Sequence, residues 1–231
     1  MKMNIALLQK IPRSFLLASM AISVLLQLPM RGETQKKNPP PDPDEIGRRI
    51  NAFVPDKQYP DDSFVLVAVQ EALAGLRENN GGVGACLVEE ATEKIVERGH
   101  NRQFAPYFRS DLHAEMDLLN RYEERVKARK SDNPSAPPEK QRKVEGLVLY
   151  TSMEPCPMCL SRIINSHIKK VYYAAPDLTG GMARKVHDLP EFWRELASGA
   201  VFEPARCSPE LTAIAKDLFH PLGNPKPADG Q

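Results

Sequence analysis

The stretch Thr151-Ser152-Met153-Glu154-Pro155-Cys156-Pro157-Met158-Cys159 ends an apolar run that starts at Val144. The run is rich in β-branched and aliphatic side chains, which predicts a central strand over 144–152. The spacing that follows predicts a helix over 156–166. Cys156 would stand at its N-cap and Pro157 at its first position, where a missing amide hydrogen costs nothing. Both sulfurs then lie at or within a first helical turn, and the positive end of the helix dipole is expected to lower both thiol pKa values. A CxxC by itself is weak evidence, because a redox pair or half a zinc knuckle has the same spacing. The chain contains no second CxxC.

Upstream, His113-Ala114-Glu115 opens a helix predicted over 112–128, with Leu112, Met116, Leu119 and Tyr122 on one face. An HxE at one helix start, followed by strand–PCPMC–helix, is far more specific than either part. Two sulfurs and one imidazole, from Cys156, Cys159 and His113, suit zinc. Three protein ligands leave a tetrahedral position for water, whose pKa falls toward about 7 on such a metal. Glu115 could take the proton of that water and hand it to a leaving amine. A fourth ligand from His100, His167 or His187 would instead mark a closed, structural zinc.

Outward from this centre, residues 61–78 show helical spacing, with Asp61 or Asp62 as cap and Asn79-Asn80-Gly81-Gly82 as stop. Residues 83–89 and 94–100 read as a hairpin, and 101–112 as a loop. Phe104, Tyr107 and Phe108 in that loop could stack on a base or anchor the loop to the core; both readings stay open. A strand over 167–175, a helix over 189–197, a strand over 200–204 and a helix over 209–219 follow. Strands alternating with helices argue for a sheet covered on both faces.

The chain has 231 residues, 42% of them hydrophobic, enough for one sizeable α/β core over 46–222 with terminal extensions. A net charge of +1, from Lys+Arg 31 against Asp+Glu 30, gives no strong nucleic-acid signal. Residues 1–13 carry Lys2, Lys10 and Arg13, and 14–30 form an apolar run, so 1–31 read as a signal peptide or membrane anchor. The location expected is export or membrane anchoring, or the cytoplasm if the start site is mis-assigned. Residues 32–45 read as a proline-rich linker, 129–143 as a surface insertion and 223–231 as a flexible tail. The basic residues from Arg125 to Lys143 could touch phosphates or form a solvated face. Cys86 reads as a buried core residue; a Cys86–Cys207 bridge stays open only for an exported chain.

On these residues the chain resembles the cytidine/deoxycytidylate deaminase superfamily, with its H-x-E and P-C-x-x-C signature. The likeness covers about 62–205 and includes Gly84-Ala85 and Gly99-His100-Asn101. The PCPMC stretch looks most like guanine deaminases and tRNA-adenosine deaminases. The resemblance implies a three-layer α/β/α sandwich with a mixed five-stranded sheet. It implies zinc on His113, Cys156 and Cys159, and Glu115 as the catalytic proton shuttle. It further implies that Asn101 hydrogen-bonds the base and that the amides of Ala114 and Cys156 help hold it, with Phe104, Tyr107 and Phe108 as substrate candidates. The run Arg109-Ser110-Asp111-Leu112 departs from the Asp-Pro-Thr-Ala that relatives carry before their histidine. The activity expected is hydrolytic deamination of a free nucleobase or nucleoside, a purine such as guanine or adenosine before cytosine or cytidine. A polynucleotide deaminase effector and a catalytically inactive zinc-stabilised binding module are the alternatives. A homodimer is a weak expectation from the same resemblance.

Overall fold

The computed structural model describes residues 42–131 and 146–219. The expected signal or anchor segment 1–31, most of the 129–143 insertion and the tail 223–231 lie outside the described residues. No helix among the described residues is long and apolar enough to cross a membrane.

The apolar run at the centre forms β3, Leu147–Met153, whose seven side chains are all buried. A strand buried on both faces must be covered by helices on both. Its neighbours are β1 (Gly84–Glu89), antiparallel to it, and β4 (Lys170–Ala175), parallel to it. The hairpin strand β2 (Lys94–His100) and the parallel strand β5 (Val201–Pro204) form the edges, giving the order β2-β1-β3-β4-β5. The sheet is therefore mixed and five-stranded.

Alternating side chains feed two cores. Cys86, Val88, Val148 and Tyr150 pack against α1 (Pro43–Ala52), α2 (Asp62–Arg77) and α6 (Pro209–Leu218). Ala85, Leu87, Leu149 and Val171 pack against α3 (Ala114–Ser131) and α4 (Pro157–Asn165). The result is the three-layer α/β/α sandwich. Gly99 lets α3 reach β2: a Cβ there would lie 2.7 Å from the Leu118 amide nitrogen.

Several boundaries differ from the sequence reading. Pro43–Glu45, expected within the linker, form the first turn of α1, because Asp42 caps it by accepting from the Asp44 amide and Pro43 suits the first turn. Helix α3 starts at Ala114 and runs to Ser131, into the expected insertion, whose first proline comes only at Pro134. Its buried face is Ala114, Leu118 and Leu119, with Tyr122 beside them; Met116 is only half-buried. β4 starts at Lys170 and not at 167, because His167 takes a left-handed φ of 61° just after α4. A 3-10 helix over Ala183–Asp188, unexpected from sequence, precedes α5 (Glu191–Leu196).

Asp61 stands at the N-cap of α2 but makes no capping bond. Its carboxylate accepts from the Tyr150 hydroxyl at 3.1 Å and the Arg206 amide at 2.7 Å. Asp62 accepts from the Ser208 amide at 2.7 Å. The two acids thus fasten the start of α2 to the β5–α6 connection. Cys86 and Cys207 are both free thiols, so no bridge joins them. Cys86 is fully buried, and burial pushes its thiol up to about 12.

Candidate active site

The starts of α3 and α4 meet at the C-terminal end of β3. Cys156 is the N-cap of α4, in extended conformation, and Pro157 is its first residue, as the sequence predicts. One turn on, Cys159 is buried. His113 stands immediately before α3, its carbonyl accepting from the Asp117 amide at 2.9 Å. These placements bring one ligand atom each from His113, Cys156 and Cys159 within 4.8 Å of one another. Cys156 Sγ is 3.6 Å from His113 Nδ1. A tetrahedral zinc with bonds of roughly 2.0–2.3 Å sets its donors about 3.5 Å apart, so the donor set and its spread both fit this ion.

The two thiols are not lowered alike. Hydrogen bonding from Cys159, with His113 adding to it, draws Cys156 down to about 4. Cys159 goes the other way, because it shares its proton with the Cys156 sulfur and is buried. The expected lowering is therefore found at the N-cap sulfur, where hydrogen bonds cause it, and not at the inner one. Among the described residues no fourth side chain joins the group. His100 is held by Glu71 and Glu78, His187 pairs with Asp188 at the surface, and His167 is exposed. The geometry is that of an open site.

Glu115, one helical residue in, is buried at 3% exposure. Its Oε1 accepts from the Thr151 hydroxyl at 3.1 Å. Burial is the main cause that raises its pKa, with the Cys156 charge adding to it. Thr151 sits in the middle of the sheet, paired with Ala85 on one side and Tyr173 on the other. The carboxylate is thus aimed by the most constrained strand in the molecule.

Beside the ligand group lies a cavity of about 350 Å³, within the range of small-molecule sites. His113, Glu115 and Cys156 form its floor, and Asn101 and Phe104 one wall. Asn101 is buried; its Oδ1 accepts from the Gln103 amide at 2.9 Å and the Gly81 amide at 3.4 Å. Two backbone donors fix which end of the amide is oxygen. Its Nδ2 has no protein acceptor among the described residues, so the side chain offers the cavity a donor. Ala114 is fully buried, and its side chain is not part of the cavity wall. Tyr107 and Phe108 neither line the cavity nor pack on the core; they are 66% and 65% exposed. Phe108 touches only the edge of the site, its ring 6.1 Å from that of Phe104.

The opposite wall was not singled out from sequence. It comes from Asp177, Thr179 and Gly180 after β4, with Glu154 from the motif stretch and Phe219 from beyond α6. Glu154 carried a signal, being the single acid inside TSMEPCPMC. The others lie on loops whose approach depends on tertiary contacts.

Residues 58–175 match the family model of the cytidine and deoxycytidylate deaminase zinc-binding region, just over half of the chain. The tRNA-specific adenosine deaminase of Bacillus subtilis (strain 168) is 29% identical over 163 residues, covering 68% of this chain and 90% of that protein. The tRNA-specific adenosine deaminase of Rickettsia felis is 26% identical over 148 residues, covering 60% of this chain and 90% of that protein. A solved guanine deaminase from Bacillus subtilis aligns at 27% identity with a TM-score of 0.40, covering 55% of this chain and 76% of that one.

Proposed function

The chain belongs to the cytidine and deoxycytidylate deaminase family, and from that premise we propose that it removes the exocyclic amine of a purine, in guanine or adenosine. At the coarser level it is a zinc-dependent hydrolytic deaminase of a nucleobase or nucleoside. The observation that carries the deaminase reading is the meeting of three groups beside one cavity, the His113–Cys156–Cys159 donors, the buried Glu115 and the donor face of Asn101; the purine is favoured by the relatives' names. Zinc bound there supplies a Lewis acid that makes water nucleophilic near neutral pH.

The residues divide the remaining work. Glu115 carries one proton from the attacking water to the ring nitrogen and a second, from the hydroxyl so formed on the ring carbon, to the departing amine, so that ammonia leaves and a carbonyl replaces the C–NH2. The Thr151 hydroxyl holds one carboxylate oxygen and leaves the group little freedom to turn away. Asn101 donates from Nδ2 to an acceptor on the ring. Phe104 gives the planar ring an apolar wall to lie against. The relatives' names favour adenosine, since the two relatives compared in sequence above are tRNA-specific adenosine deaminases.

Those names also favour a second reading, adenosine within RNA. Ammonia release separates the two readings when free bases, nucleosides and a short adenosine-containing RNA are compared. Turnover of guanine or adenosine alone supports the first reading. Turnover of the RNA alone supports the second. In either case Glu115→Ala should keep zinc and lose turnover; retained turnover would remove Glu115 from the mechanism.

A further inference from the structure

The loop after β4 forms a wall of the cavity through Asp177, Thr179 and Gly180. It belongs to no strand or α-helix, yet it is fastened at two places to the motif segment. The Glu154 carboxylate is wholly buried. Its Oε1 accepts from the Arg184 amide at 3.0 Å and its Oε2 from Arg184 Nε at 2.7 Å. The same guanidinium donates from Nη2 to the Asp177 carbonyl at 3.1 Å. The Gly181 amide donates to that carbonyl too, at 3.1 Å, and the Met182 amide donates to the Pro155 carbonyl at 2.9 Å. A Cβ at position 181 would stand 2.5 Å from Glu154 Cδ and 2.6 Å from the Asp177 carbonyl oxygen. Only glycine lets the loop lie this close to the carboxylate. The wholly buried Tyr173 hydroxyl, which has no partner among the described residues, lies in the field of both charges.

One side chain therefore ties together a buried acid two residues before Cys156 and the backbone of the substrate wall. Arg184 suits this because its planar fork donates in two directions at once. We propose that Glu154 and Arg184 are positioning residues for the substrate: their pair locks the 177–184 loop onto the Glu154-Pro155-Cys156 segment and sets the width of the cavity. Neither residue moves a proton, so the pair governs how well substrate is held and not how fast it reacts.

The kinetic arm of the test rests on the deaminase reading; the exchange arm does not. The protein is the full chain loaded with zinc, carrying Arg184→Met, a change at a half-exposed side chain. For the substrate that the wild type deaminates, KM should rise about tenfold with kcat within about twofold, the split expected when binding is lost and chemistry kept. Zinc content should stay at the wild-type level. The Gly181 and Met182 amides should exchange with deuterium roughly tenfold faster, as a loosened segment does. Glu154→Gln should give the same pattern, and the double variant should be no worse than Arg184→Met alone, because both changes break the bond from Arg184 Nε to Glu154 Oε2. An Arg184→Met protein with unchanged KM and unchanged exchange would overturn the proposal. So would a fall in kcat at constant KM, or losses that add in the double variant. If the wild type releases ammonia from no substrate, the deaminase reading fails, while faster or unchanged exchange at Gly181 and Met182 still decides the latch.

Discussion

The floor of the cavity and its walls are built by different means. The floor is set by regular structure: β3 delivers Thr151, and the first turns of α3 and α4 deliver Glu115, Cys156 and Cys159, with His113 just before α3. Its positions are fixed by a fully buried strand and two helix starts. The walls are loops after β2 and β4, held by scattered side-chain bonds. Asn80 Oδ1 gathers the amides of Phe104 and Ala105 at 2.7 and 2.9 Å, and Glu154 holds Arg184. These loops also present Tyr107, Phe108 and Leu178 to solvent. The contrast follows from what each part must do. Proton transfer tolerates little displacement and needs rigid supports, whereas selectivity is tuned on segments whose sequence can change without disturbing the sheet.

The comparison breaks if floor residues tolerate change as well as wall residues do. The largest effect should come from Cys159→Ser, which removes a buried sulfur donor. Zinc content by metal analysis should drop to about a tenth or less and turnover should vanish with it, while a variant that keeps full metal would dissociate this cysteine from the site. Glu115→Ala should retain zinc and lose turnover by about a thousandfold, within the range ascribed to a positioned acid–base group. Among wall residues, Asn101→Ala should lower kcat/KM by roughly ten- to a hundredfold, mostly through KM, as removal of one substrate hydrogen bond does. The same change orphans the amides of Gly81 and Gln103, so the melting temperature should also fall.

What was legible in the sequence follows the same division. The clustering of His113, Cys156, Cys159 and Glu115 could be read because their spacing is local to two helix starts, where Pro157 and the strand before it leave little choice of conformation. The order of strands and helices from α2 onward was readable from apolar periodicity, whereas α1 was not, because its start lies in a proline-rich stretch. The extension of α3 to Ser131 was not legible, because a polar, basic, proline-containing stretch gives no local mark of where the helix stops before Pro134. The wall after β4 was missed because no local pattern says which loop will fold over a cavity. Which of the three loop aromatics would reach the cavity was not legible: Phe104 lines it, while the backbone carries Tyr107 and Phe108 out to solvent.

Behind the Asn101 wall lies a titratable support. His100 is buried with Glu71 Oε2 at 2.9 Å from one ring nitrogen and Glu78 Oε2 at 3.0 Å from the other. The Glu71 hydrogen bond raises the histidine pKa above 6.5, against the opposing effect of burial. Its contribution to stability is therefore complete below about pH 6.5 and is lost as pH rises through the raised folded-state value. Glu71 is shifted down from 4.5 by the same bond, so its share is present above that pH and lost on acidification. Urea midpoints between pH 6 and 9 should decline for the wild type and decline less for His100→Phe. Equal slopes would mean that the pair does not titrate with folding. The smallest effect belongs to Tyr107→Ala and Phe108→Ala, which should leave kcat/KM for a free base or nucleoside within about twofold, as exposed substitutions away from the reacting atoms do. A tenfold loss on RNA alone would assign them to a polymeric substrate.

On the proposed mechanism, an open zinc site and Glu115 together deaminate a purine. Ammonia release by the zinc-loaded protein and by its Glu115→Ala variant, measured side by side on guanine, adenosine, cytosine, cytidine, dCMP and an adenosine-containing RNA, tests it most directly. The account predicts turnover of one purine substrate by the wild type, and none by the variant at equal zinc content. Release from cytosine or cytidine alone, or equal release by both proteins, would contradict it.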